Sequence, residues 1–171
     1  MLRRVRLFLA TSLDGYIAGP GDTLDWLFTD DGYGYDEFIE QIDTLAMGRR
    51  TFETVVALGE WPYEGKQAWV WTRRGGADTP RARFTAQPPG EWLAERMREE
   101  GRDIWIVGGS ELIRGFLDAY LVDEIAVAIH PVVLGGGVPL VPAGTRRHAL
   151  RLTGHRAYPS GLVMNTYVVQ R

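Results

Sequence analysis

The chain has 171 residues, 45% hydrophobic and 24% charged, with no cysteine and a formal net charge of −3. This mixture excludes disordered, collagen-like and coiled-coil chains, and the missing thiols exclude disulfides, cysteine nucleophiles, Cys-based zinc sites and iron–sulfur clusters. The charge balance argues against a nucleic-acid or anionic-membrane partner, no run approaches the ~18 apolar residues of a membrane span, and a cytoplasmic location is the expectation.

Residues 5–10 read as an apolar opening strand, closed by the turn Ser12-Leu13-Asp14-Gly15. The first ten residues imitate a signal peptide, but their apolar run is too short. Residues 11–34 form a Gly- and Asp-rich loop of a length that often marks function. The spacing of Phe38 and Ile42 predicts a short helix over 35–41. A buried strand over 45–47, a helix over 50–58 and a strand over 68–71 follow. Next come a charged amphipathic helix over 91–100 that Gly101 stops, a strand over 104–107, a helix over 111–119 and a strand over 124–129. Residues 148–158 and 162–170 are two extended runs around Pro159-Ser160-Gly161, which reads as a hairpin. Strand–helix alternation followed by a hairpin predicts an α/β fold in one domain, 1–171, mostly parallel with antiparallel strands at the C-terminal edge.

Two strand-to-helix junctions carry the chemistry. In Met47-Gly48-Arg49-Arg50-Thr51 a glycine lets the backbone approach a ligand, and the helix start offers free N–H groups to an anion. Arg49 and Arg50 add forked phosphate donors, and Thr51 adds a hydroxyl. A helix start with solvated arginines accounts for the same residues. In Val107-Gly108-Gly109-Ser110-Glu111 a buried strand again ends in glycines, with Ser110 able to cap the helix. The dinucleotide fingerprint GxGxxG is absent, and a tight turn explains the glycines without a ligand. Ligands of open α/β sheets gather at the C-terminal strand ends, so one dinucleotide can span both junctions.

Other candidates are weaker. The only lysine is Lys66, and Gly59 to Lys66 misses the phosphate-loop spacing by one residue. His130, His148 and His155 lack metal-ligand spacing, and His130 begins a loop, where a turn contact accounts for it. No Gly-x-Ser-x-Gly elbow is present. Trp69, Trp71 and Trp105 fall in strands and read as core.

These stretches, with Ala10 to Ala18, Val70-Trp71-Thr72-Arg73 and His130 to Gly137, resemble the dihydrofolate reductase-like family over nearly the whole chain, leaning towards its riboflavin-biosynthesis reductase branch. The resemblance implies a three-layer α/β/α fold with a mixed, mostly parallel central sheet and a C-terminal antiparallel hairpin. It also implies NADPH as cofactor. Ala10 and Ile17 would hold the nicotinamide carboxamide through backbone groups. Gly48, Arg49, Arg50 and Thr51 would grip the pyrophosphate and 2′-phosphate, and Thr72 and Arg73 the adenosine end. Gly108, Gly109, Ser110 and Glu111 would form the turn between pyrophosphate and nicotinamide. An extra cofactor phosphate favours arginine, and Arg49, Arg50 and Arg73 stand at these strand ends.

The family's pterin-pairing carboxylate has no fixed counterpart. Counting forward from Trp26 points to Asp31; counting back from Phe38 points to Gly34, with Asp36 nearby. Helix capping explains these acids equally well. Trp26 is the candidate cover of the substrate pocket, or a loop anchor. The implied activity is hydride transfer from NADPH to a small unsaturated nitrogen heterocycle, either a pyrimidine riboflavin precursor or a pterin. The alternative is a non-catalytic binder of nucleotides or heterocycles on the same scaffold. The apolar run 132–134, with Val138, Pro139 and Leu140, and the pairing of the reductases it resembles imply a homodimer.

Overall fold

In β3 (Ile42–Gly48), Leu45, Ala46 and Met47 are all fully buried, which a strand achieves only when both faces of its sheet are covered. The computed structural model describes residues 3–30 and 32–171; the candidate acid Asp31 lies outside them. In chain order the elements are β1 (Val5–Ser12), β2 (Tyr16–Ala18), α1 (Tyr35–Glu40), β3, α2 (Arg49–Ala57), β4 (Gln67–Trp71), β5 (Ala82–Thr85) and α3 (Pro89–Arg96). They continue with β6 (Asp103–Gly108), α4 (Ser110–Asp118), β7 (Glu124–His130), β8 (Val138–Pro139), β9 (Leu150–Ala157) and β10 (Val163–Val169).

Eight strands form one sheet in the order β5-β4-β3-β6-β1-β7-β10-β9, and β2 pairs with β8 apart from it. Pairing from β5 through β7 is parallel. β10 runs antiparallel to both β7 and β9, as the predicted terminal hairpin requires. Side-chain alternation then sorts the core into two layers. Ala46, Ile104 and Ile106 meet Trp92 of α3 with Ile113 and Phe116 of α4. Leu45, Met47 and Trp105 face the other way, onto Phe38 of α1 and Val55 of α2. The result is the three-layer α/β/α arrangement with a mostly parallel sheet.

Three differences from the sequence reading have physical causes. The helix predicted over 91–100 begins earlier, at Pro89, whose fixed φ suits a first helical position. It ends earlier too: Arg98 and Glu99 donate to carbonyls only three residues back, those of Glu95 and Arg96, and the buried Arg3 guanidinium also takes the Arg96 carbonyl at 3.2 Å. The 11–34 loop is divided by β2, whose partner β8 lies far along the chain. β5, a four-residue edge strand, lies between loop signals in the sequence. Among the described residues, no helix is long and apolar enough to cross a membrane.

Candidate functional site

The parallel strands β4, β3, β6, β1 and β7 deliver their C-terminal ends to one side of the sheet. β3 and β6 are neighbours, with Met47 opposite Gly108, so both glycine junctions abut. A Cβ built on Gly48 would sit 3.5 Å from the Gly109 nitrogen. Gly48 and Gly109 are the N-caps of α2 and α4, and neither cap makes a side-chain hydrogen bond. The first-turn N–H groups of two nine-residue helices, on opposite faces of the sheet but starting side by side, therefore lack the usual side-chain acceptor. Thr51 Oγ1 lies between the two turns, 3.6 Å from a Cβ built on Gly109.

The arginines stand on the same rim. Arg49 is exposed; it donates through Nε to Glu53 at 2.8 Å and through Nη1 to the Gly75 carbonyl at 3.3 Å. Arg50, also exposed, pairs with the Asp22 carboxylate on the loop after β2. Thr72, at the end of neighbouring β4, is buried and accepts the Arg74 N–H at 3.2 Å, with Arg73 exposed beside it. Ala10 lies near the end of β1, opposite Ala128. Ile17 is the central residue of β2.

The remaining sequence candidates take the following places. Ser110 is buried, and its hydroxyl donates to the Pro139 carbonyl instead of capping its own helix. Glu111 is exposed and lies 4.0 Å from Arg114 on its own helix. Asp36 is exposed in the first turn of α1. Trp26 donates from Nε1 to the Thr23 carbonyl at 3.1 Å and sets its ring edge-on to His130, 5.2 Å between centroids. Lys66 caps the end of α1, donating to the carbonyls of Ile39 and Ile42, both at 2.8 Å.

Two further residues organise the rim. His130 ends β7 and is buried. Its Nε2 accepts the Phe28 N–H at 3.2 Å, so the proton sits on Nδ1, facing the Ala128 carbonyl at 3.2 Å. Burial pushes its pKa below the ordinary value, and the neutral ring ties the 26–28 loop to the sheet. Asp14 accepts the Ser12 hydroxyl at 2.7 Å and the N–H groups of Leu134 at 3.0 Å and Gly135 at 2.8 Å. The Ser12 hydroxyl, with those amides, lowers its carboxyl to about 2. A lone histidine at a strand end and an aspartate in a turn give no sequence signal of such distant partners.

On the α1–α2 face, half-buried Phe8, Tyr35 and Phe52 adjoin buried Trp61, Tyr63 and Trp105. Tyr35 and Tyr63 each lie edge-on to Trp105, at 6.0 and 5.6 Å. Burial raises both phenol pKa values, so both hydroxyls stay protonated donors.

A family model described as the RibD C-terminal domain matches residues 3–164. The chain is 34% identical over 177 aligned residues to YyaP of Bacillus subtilis (strain 168), an uncharacterised protein, covering 96% of this chain and 94% of that one. Its fold is similar to a putative riboflavin biosynthesis protein from Shewanella sp. PV-4, with TM-score 0.88, 27% identity and full coverage of both chains. It also shares its fold with a dihydrofolate reductase from Enterococcus faecalis solved with NADP(H), with TM-score 0.70, 19% identity and full coverage of both chains.

Proposed function

Because the chain belongs to the RibD C-terminal domain family, we propose that it is a reductase of the riboflavin-pathway type, using NADPH to reduce a small unsaturated nitrogen heterocycle. The observation that carries this reading is the pair of abutting helix starts without side-chain caps, rimmed by Arg49, Arg50 and Arg73. Backbone N–H groups at helix N-termini suit a pyrophosphate, and arginine suits an additional phosphate. The donor set therefore fits NADPH. Gly48, Thr51, Gly108 and Gly109 would hold the pyrophosphate, Arg49 and Arg50 the 2′-phosphate, and Thr72 and Arg73 the adenosine end. Backbone groups of Ala10 and Ile17 would hold the nicotinamide.

NADPH supplies the hydride; the chain binds, orients and excludes water. The half-buried aromatics Phe8, Tyr35 and Phe52 would seat the planar acceptor, and the protonated Tyr35 hydroxyl can donate to its carbonyl or ring nitrogen. A proton would come from water or from an acid of the 31–36 segment. The test is NADPH oxidation over pyrimidine riboflavin precursors, pterins and folates. Turnover with one class supports the proposal and rejects a non-catalytic binder. No oxidation with any of them, by a protein that binds NADPH, overturns it.

We also propose a homodimer. Edge strand β9 carries exposed Leu150 and Leu152, and exposed Val133 and Val141 lie nearby in the chain. Unpaired edges and apolar patches of this kind invite a second strand. A monomer mass by light scattering at micromolar concentration would refute it.

A further inference from the structure

We infer that Ser110 is a positioning residue, and that residues 132–140 form a brace fixing the spacing between the two backbone edges that the dinucleotide would bridge. The consequence for binding rests on the NADPH reading; the brace itself rests on hydrogen bonds. One edge is the Gly108–Gly109 turn; the other is β2, which contains Ile17. The two do not pair with each other in the sheet. The 132–140 segment joins them.

Its attachment to the β1–β2 side is dense. Leu13 donates to the Val132 carbonyl at 2.8 Å, and Leu140 to the Gly15 carbonyl at 2.8 Å. Asp14 takes the N–H groups of Leu134 and Gly135. β8 pairs with β2, Val138 opposite Ala18 and Pro139 opposite Tyr16. Ser12, hydrogen-bonded to Asp14, accepts the Tyr16 N–H at 3.0 Å and so ties β2 into the same network. The approach at Gly137 is so close that a Cβ there would collide with the Ala18 carbonyl oxygen.

Attachment to the other side combines apolar packing, Leu140 against the cluster that holds Leu112 and Ile113, with one polar link among the described residues, from the Ser110 hydroxyl to the Pro139 carbonyl. Ser110 begins α4 immediately after the glycine turn. A hydroxyl donating to Pro139 has given its one proton away. It therefore acts by holding β8, and through β8 the backbone of β2, at a set distance from the turn. Residues that hold a binding geometry act on affinity without touching the ligand.

The experiment compares Ser110→Ala, Ser110→Thr and Ser110→Val. Amide hydrogen exchange over 13–18 and 134–140 is measured without cofactor. Titrations with NADPH and with 2′,5′-ADP, which lacks the nicotinamide half, follow. Ser110→Ala is expected to speed exchange in both segments and weaken NADPH by up to about tenfold, the scale of one net hydrogen bond, with 2′,5′-ADP unchanged. Thr, which keeps a hydroxyl, should behave as the native chain. Val, of nearly the same shape, should behave as Ala, and this pair decides the matter should Ala fold poorly. Unchanged exchange in Ala and Val overturns the brace. Equal weakening of NADPH and 2′,5′-ADP overturns the positioning role. Failure of the native chain to bind NADPH overturns the cofactor reading instead, and the exchange data still decide the brace.

Discussion

Alanine at Gly109 separates a glycine turn that serves a ligand from one that serves only the fold. Gly109 has φ −85° and ψ −166°, extended backbone open to any L-residue. The nearest protein atom to its new Cβ would be Thr51 Oγ1 at 3.6 Å, an ordinary van der Waals separation. The methyl group thus meets no obstacle in the protein, and the expected stability loss is below about 1 kcal/mol. On the ligand side it occupies space that the pyrophosphate needs, at an expected ~1–2 kcal/mol of affinity, roughly five- to thirtyfold. Gly108→Ala is the control. Its φ of +133° strains any side-chain-bearing residue, at about 1–3 kcal/mol, so its melting temperature should fall clearly. NADPH titration by fluorescence beside a melting curve distinguishes the two. A Gly109→Ala protein that melts as low as Gly108→Ala, while its folded fraction binds NADPH as the native chain does, would refute the ligand-serving turn.

Removing Arg49 and Arg50 together should weaken NADPH by about 1.5–3 kcal/mol for each arginine–phosphate pair abolished, and NADH far less; equal weakening in parallel titrations would show that neither reads the 2′-phosphate. His130 has a folded pKa below its ordinary 6.5, so the folded state resists protonation. Its contribution to stability is full above pH 6.5 and falls as pH drops below it. Melting curves across pH 5–8 should show that slope in the native chain and lose it in His130→Gln, while a retained slope would assign it to other groups. Asp14 works in the same sense at lower pH, with its carboxyl at about 2 against an ordinary 3.8. The stability it contributes is present above 3.8 and lost as pH falls towards 2, and Asp14→Asn should flatten acid unfolding in that window.

What the sequence made legible was local. Strand, glycine and helix start are consecutive at Gly48 and at Gly108–Gly109, so both junctions and their arginines could be read from short windows. The continuous apolar run at 104–106, buried on both faces of the sheet, placed that core strand. What stayed hidden depends on partners distant in sequence. His130 reaches Phe28 across 102 positions, and Asp14 reaches Leu134 across 120. β2 and β8 are three and two residues long and exist only because they meet. The Ser110 hydroxyl illustrates the same limit. Its position suggested a cap, yet its hydroxyl donates to a carbonyl 29 residues away.

We read these strand ends as built for a pyridine dinucleotide carrying an extra phosphate. Parallel calorimetric titrations of the native chain with NADPH and NADH at one ionic strength put that reading at greatest risk. Saturable one-site binding of NADPH is expected, at least about tenfold tighter than NADH, as one charge-assisted arginine–phosphate pair implies. No saturable binding of NADPH, or equal affinity for both dinucleotides, would contradict it.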